Sequence, residues 1–103
     1  MLNLDAIAEK KATQLNQEKE LWRQAVWSAE FQKFSADLTD GEVESIVGWC
    51  PTARHLRALV SFLEEKVKET GVGPYKNLIK LAEDEKVRPD QWIQDHLPKQ
   101  TAL

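Results

Sequence analysis

The residues with the most chemical potential stand together near the middle of the chain. Cys50 and His55 are five positions apart, and Arg54 and Arg57 flank the histidine. A thiol becomes a nucleophile when a base or a helix N-terminus favours its thiolate and a third group orients the pair. Cys50 sits just before a predicted helix start, so two of these ingredients are nominally present. It also lies between Trp49 and Pro51, the setting of a small buried hydrophobe. The expectation is therefore no catalytic residue and no enzyme. Cys50, His55 and His96 offer neither a paired-cysteine spacing nor a helical histidine pair, so no metal is expected. Gly71-Val72-Gly73-Pro74 lacks the lysine of a phosphate loop, and no cofactor is expected. Glu64 and Glu65 diverge by about 100° on a helix and cannot converge as acid and base.

Arg54, His55 and Arg57 carry a different potential. They fall in the first turns of a predicted helix, opposite its apolar face, where cations oppose the helix dipole. An anion would relieve that opposition by meeting both the basic side chains and the free N–H groups. Three partners suit them: Asp40, Glu42 or Glu44 of the preceding segment, an acidic protein surface, or a nucleic-acid phosphate. Asp40–Glu69 has the outline of a helix-turn-helix. Pro51–Leu59 superficially resembles the recognition helix of bacterial winged-helix repressors. The proline-to-leucine spacing is one residue short, no strand pair follows for a wing, and Arg54 and Glu44 stand where that motif takes small or apolar residues. No family is assigned on it.

The element that must position these groups is the stretch from Thr52 to Thr70. Ala53, Leu56, Val60, Leu63 and Val67 share one helical stripe, widened by Leu59 and Phe62. A face that wide suits a helix packed on two sides. Thr52 is a candidate N-cap, Gly71 a candidate left-handed C-terminal residue, and Pro74 follows. The spacing predicts a central helix over about 52–70.

Before it, about 4–37 reads as one long N-terminal helix, because no glycine or proline interrupts it. At 1.5 Å per residue such a helix is roughly 50 Å long, whereas a compact chain of this size is about 35 Å across. Part of it must then bend or project. Residues 9–20 have only Ala12 and Leu15 as apolar members, so residues 1–20 are expected as a projecting arm. Ala8, Leu15, Trp22 and Ala29 are spaced by seven, a weak coiled-coil seam. Trp27, Phe31, Phe34 and Leu38 form a second seam, about 140° round the wheel from Trp22. Either the domain itself wraps this helix on two sides, or one seam meets another molecule. Thr39-Asp40-Gly41-Glu42 matches a capping box and starts a short helix over about 40–49. Two further helices follow, from Pro74 and from Pro89. The acidic run Glu83-Asp84-Glu85 is expected to fray the first of them around Glu85–Val87. Residues 98–103 are expected as a mobile tail.

The 103 residues carry a net charge of −3 with acids and bases mixed. One domain is expected, and a nucleic-acid role is disfavoured but kept as the alternative. The lone cysteine suits a reducing compartment, the N-terminus lacks signal-peptide character, and no apolar run reaches the ~20 residues of a membrane helix. The sequence therefore predicts an all-α, four- to five-helix bundle-like domain, cytoplasmic and non-enzymatic. Its role is that of a protein-interaction module such as a small regulator, adaptor or assembly factor, and self-association as a homodimer is one form of it. The expected partner-binding residues are Leu15, Trp22, Trp27, Phe31, Arg54, His55 and Arg57. The alternative is a helix-turn-helix-type nucleic-acid-binding regulator.

Overall fold

A computed structural model describes residues 3–15 and 19–97. Among the described residues there are seven helices and no strand: α1 (Leu4–Leu15), α2 (Lys19–Val26), α3 (Ala29–Ser35), α4 (Asp40–Trp49), α5 (Ala53–Thr70), α6 (Pro74–Asp84) and α7 (Pro89–His96). The all-α class holds, but the count exceeds the four to five expected, and the difference lies at the start of the chain. The long helix over 4–37 does not form. The body measures 34 × 32 × 22 Å with a radius of gyration of 13.0 Å, so an unbroken helix of that length would leave much of its apolar surface in water.

Two breaks resolve the conflict. The first falls between Leu15 and Lys19, and α1 returns along α2. Glu9 pairs with Lys19 at 3.5 Å and Asp5 with Arg23 at 3.4 Å, early residues against late ones, as an antiparallel hairpin requires. Residues 3–15 therefore lie on the body and do not project. The second break falls at Trp27 and Ser28. Ser28 has an extended backbone and its hydroxyl accepts from the Phe31 N–H at 3.1 Å. The same hydroxyl donates to the Ala25 carbonyl at 2.9 Å, and Gln32 Nε2 donates to the Val26 carbonyl at 2.8 Å. The polar groups freed where one helix ends and the next begins are thus met by side chains.

Downstream, local signals and structure agree closely. The Thr39 capping box forms both of its bonds, 3.2 Å and 2.9 Å. Thr52 caps α5, which starts one residue later than the 52–70 expected, and Gly71 ends it at φ 72°. Leu56, Leu59 and Leu63 are fully buried, with Ala53 and Val60 nearly so. α5 packs against α2, α3, α6 and α7, the several-sided burial that its wide apolar face implied. Trp49 stacks on Tyr75 at 5.7 Å, and Phe62 meets Trp92 at 5.4 Å.

The end of α6 does not fray. The Val87 N–H bonds the Ala82 carbonyl and the Lys86 N–H bonds the Glu83 carbonyl, both at 3.0 Å, with Lys86 left-handed at φ 58°. This is the Schellman closure, formed here without glycine. The crowded acids are put to use: Glu85 accepts from Trp92 Nε1 at 2.8 Å and faces His96 Nε2 at 3.0 Å. The His96 ring in turn stacks on Trp92 at 4.6 Å. Residues 98–103, the expected tail, lie outside the described residues. No helix among the described residues is long and apolar enough to cross a membrane.

Two measurements test this account. Leu59→Ala should destabilise the fold by roughly 2–5 kcal/mol through lost burial and a cavity, and an unchanged thermal midpoint would show that α5 is not the core. Lys86→Gly should stabilise by about 1 kcal/mol, because glycine carries no left-handed penalty; a loss of stability would contradict the closure described for α6.

Candidate functional site

The basic cluster of α5 divides in two. Arg54 and Arg57 are exposed, whereas His55 is 4% exposed and points inward. The ion pairs expected with Asp40, Glu42 or Glu44 are not formed. Among the described residues no carboxylate lies within 4.0 Å of either arginine, and Glu42 is committed to the Thr39 N–H. The two guanidinium groups therefore face solvent from the first turns of α5, with Arg57 beside Glu30 in a small cleft where the α2–α3 corner meets α5.

His55 serves the helix start instead. Its N–H donates to Thr52 Oγ1 at 3.1 Å, and its Nδ1 lies 2.6 Å from the same oxygen. A hydroxyl that accepts from the backbone N–H has its own proton to give to Nδ1, so the neutral ring completes the arrangement. Burial also disfavours the imidazolium and lowers the pKa of His55 from its ordinary 6.5.

Cys50 is fully buried, and its Sγ donates to the Ile46 carbonyl at 3.2 Å. Burial pushes the thiol up to about 12, against the smaller opposing influence of Lys11. With its thiolate suppressed to that degree it is an inert core side chain. No group of three or more His, Cys, Asp or Glu side chains among the described residues could hold a metal ion.

The aromatic candidates also separate. Trp22 is 0% exposed and Phe31 is 1% exposed, so both are committed to the core. Leu15 is half-buried against it. Trp27 is the exception, 52% exposed, with its Nε1 donating to Asp5 Oδ1 at 2.8 Å. That bond, with Arg23 close by, holds the Asp5 carboxyl below its usual range. Leu21 is also exposed at 45%, but it lies about 120° round α2 from Trp27 at 100° per residue. The two do not form one patch.

One group was missed by sequence reasoning. Lys11 is only 7% exposed, and its Nζ donates to the Gly48 carbonyl at 2.8 Å while lying 5.7 Å from the centre of the Trp22 ring. Beside it a groove of about 370 Å³ separates α1 from α4. The signal was present: Leu4, Ile7, Ala8, Ala12 and Leu15 form a helical stripe, and Lys11 falls within it.

A pH titration tests the inward histidine. With its folded-state pKa below the unfolded 6.5, His55 stabilises the fold fully above about pH 6.5, and this contribution is lost as the pH falls from there through the folded value. His55→Gln should therefore flatten part of the acid-side decline in thermal midpoint between about pH 7 and about pH 5. Parallel curves for both proteins would remove His55 as its source.

Compared with known proteins, the chain matches no family model, no curated protein and no solved structure.

Proposed function

We propose that this chain is a non-enzymatic protein-interaction module of the regulator, adaptor or assembly-factor kind, and that Trp27 anchors its binding surface. The observation that carries the reading is a tryptophan 52% exposed and yet fixed in place through Asp5. Tryptophan and arginine dominate the energetics of protein interfaces, and Arg23 lies one turn before Trp27 and shares its Asp5 partner. An indole held before binding loses little conformational freedom on docking. The buried, proton-retaining Cys50 further supports a binding role over nucleophilic chemistry. A second copy of the chain is one partner this surface suits, and a lone thiol suits the reducing cytoplasm.

A second reading rests on Arg54 and Arg57, which stand exposed and free of carboxylates at the start of α5. They suit phosphates of a nucleic acid approached by the α4–α5 corner. The inward turn of His55 leaves that surface two cations rather than three, with a chain charge of −3 behind it.

Affinity capture with wild type, Trp27→Ala and the Arg54→Glu/Arg57→Glu pair separates the readings. Trp27→Ala should cost on the order of 2 kcal/mol of partner affinity, about thirtyfold, with little change in thermal midpoint. Sedimentation over a concentration series reports whether the partner is a second copy. Equal retention of every partner by wild type and Trp27→Ala would reject the Trp27 surface. A low-salt gel shift on duplex DNA, abolished by the arginine pair, would establish the second reading instead.

A further inference from the structure

Lys11 is the only lysine or arginine among the described residues that is buried. A buried ammonium ordinarily meets a carboxylate, but none lies within 4.0 Å of this one. Of its three N–H groups one is taken by the Gly48 carbonyl, and the Trp22 ring supplies a weaker attraction. Burial lowers the pKa of Lys11, and the carbonyl end of α4 offers it only a partial negative charge.

The groove beside it carries both signs of charge and an apolar wall. Lys11 and Gly48 line it together; the exposed Lys10 and Glu44 stand on opposite helices, and the half-buried Ile7 contributes apolar surface. At about 370 Å³ it is the size of a small-molecule site. A simple anion would satisfy the lysines but be repelled by Glu44. A ligand that bears both charges satisfies all three.

We propose that the groove between α1 and α4 binds a small zwitterionic carboxylate of the apolar α-amino-acid class. Lys11 and Lys10 take the carboxylate, Glu44 takes the ammonium, and the side chain lies against Ile7. The incoming carboxylate supplies the full negative charge that the Gly48 carbonyl provides only in part. The site is independent of the Trp27 surface, and neither proposal needs the other.

The test uses the whole chain, with leucine, 4-methylpentanoate and leucinamide titrated to about 10 mM, a range that spans millimolar affinities, and backbone amide shifts followed by NMR. Leucine should give saturable shifts confined to α1 and α4. Lacking one charge each, 4-methylpentanoate and leucinamide should bind about tenfold or more weakly, the worth of one charge-assisted hydrogen bond. Lys11→Met should weaken leucine by at least about tenfold. Should that variant fail to fold, the surface change Glu44→Gln decides, by bringing leucine down to the level of 4-methylpentanoate. No saturable leucine shift, equal affinity for leucine and 4-methylpentanoate in wild type, or leucine binding indifferent to Glu44→Gln would each overturn the proposal.

Discussion

Complete burial of Trp22 is the constraint on which the first third of the molecule depends. An indole covers about 150–250 Å², so removing it from water is worth on the order of 5 kcal/mol, as an upper bound. The exposed pairs Glu9–Lys19 and Asp5–Arg23 contribute at most about 1 kcal/mol each. The indole therefore decides the geometry and the ion pairs follow it. On one long straight helix Trp22 would be covered from one side only. Folding α1 back along α2 while α2 rests on α5 covers it from both sides and brings it to 0% exposure. Ala8 and Ala12, both buried, keep the α1 side thin enough for that close approach.

The three buried polar side chains among the described residues, Lys11, His55 and Asn77, share a placement. Each makes its bond at a helix end or corner. Lys11 meets a carbonyl in the last turn of α4, a helix with no basic residue of its own there, and so supplies the positive charge that the dipole favours. His55 completes the Thr52 cap of α5. Asn77 Nδ2 donates to the Val72 carbonyl at 2.7 Å and closes the α5–α6 corner. Leucine, valine and the aromatic residues fill the volume between helices, and these three polar groups bond where helices begin or end. A polar group buried there is tolerable because it is paired, Lys11 and Asn77 with backbone carbonyls and His55 with the Thr52 hydroxyl.

This division also explains what could be read from the residues. Where a helix boundary is written locally, as at Thr39, Thr52, Gly71, Pro74 and Pro89, reading and structure agree to within a residue. The capping box needs only four consecutive positions, and a proline or glycine acts through its own backbone. The breaks on either side of α2 lack such punctuation, because tertiary burial makes them. Two hints were nonetheless present: Ser28 as a cap, and two aromatic seams about 140° apart, which a single helix can bury only when wrapped on both flanks. For the candidate site, the exposure of Arg54 and Arg57 follows from helical phase, whereas Trp27 parts from the buried Phe31 and Phe34 of its seam because the helix breaks at Ser28. The inward turn of His55 does not follow from phase either, since adjacent positions near a cap are sorted by local hydrogen bonds. Lys11 escaped because a cation within an apolar stripe reads as an interruption until the carbonyl that receives it comes into view.

The two surfaces with most to offer a partner or ligand both depend on the return of α1. Asp5, which fixes the Trp27 indole, belongs to α1, and so do Lys10 and Lys11 of the groove. On an extended first helix Asp5 and Trp27 would stand twenty-two positions apart, with nothing to hold the indole. Lys11 would be an ordinary solvated lysine, far from Gly48. The fold that hides Trp22 is thus the fold that pins Trp27 and strands a cation beside an open groove. The core of α5 supplies stability without specifying any surface. The side chains that shape both proposed surfaces come largely from α1, the segment whose composition resembles a core least, because its polar residues are brought against other helices.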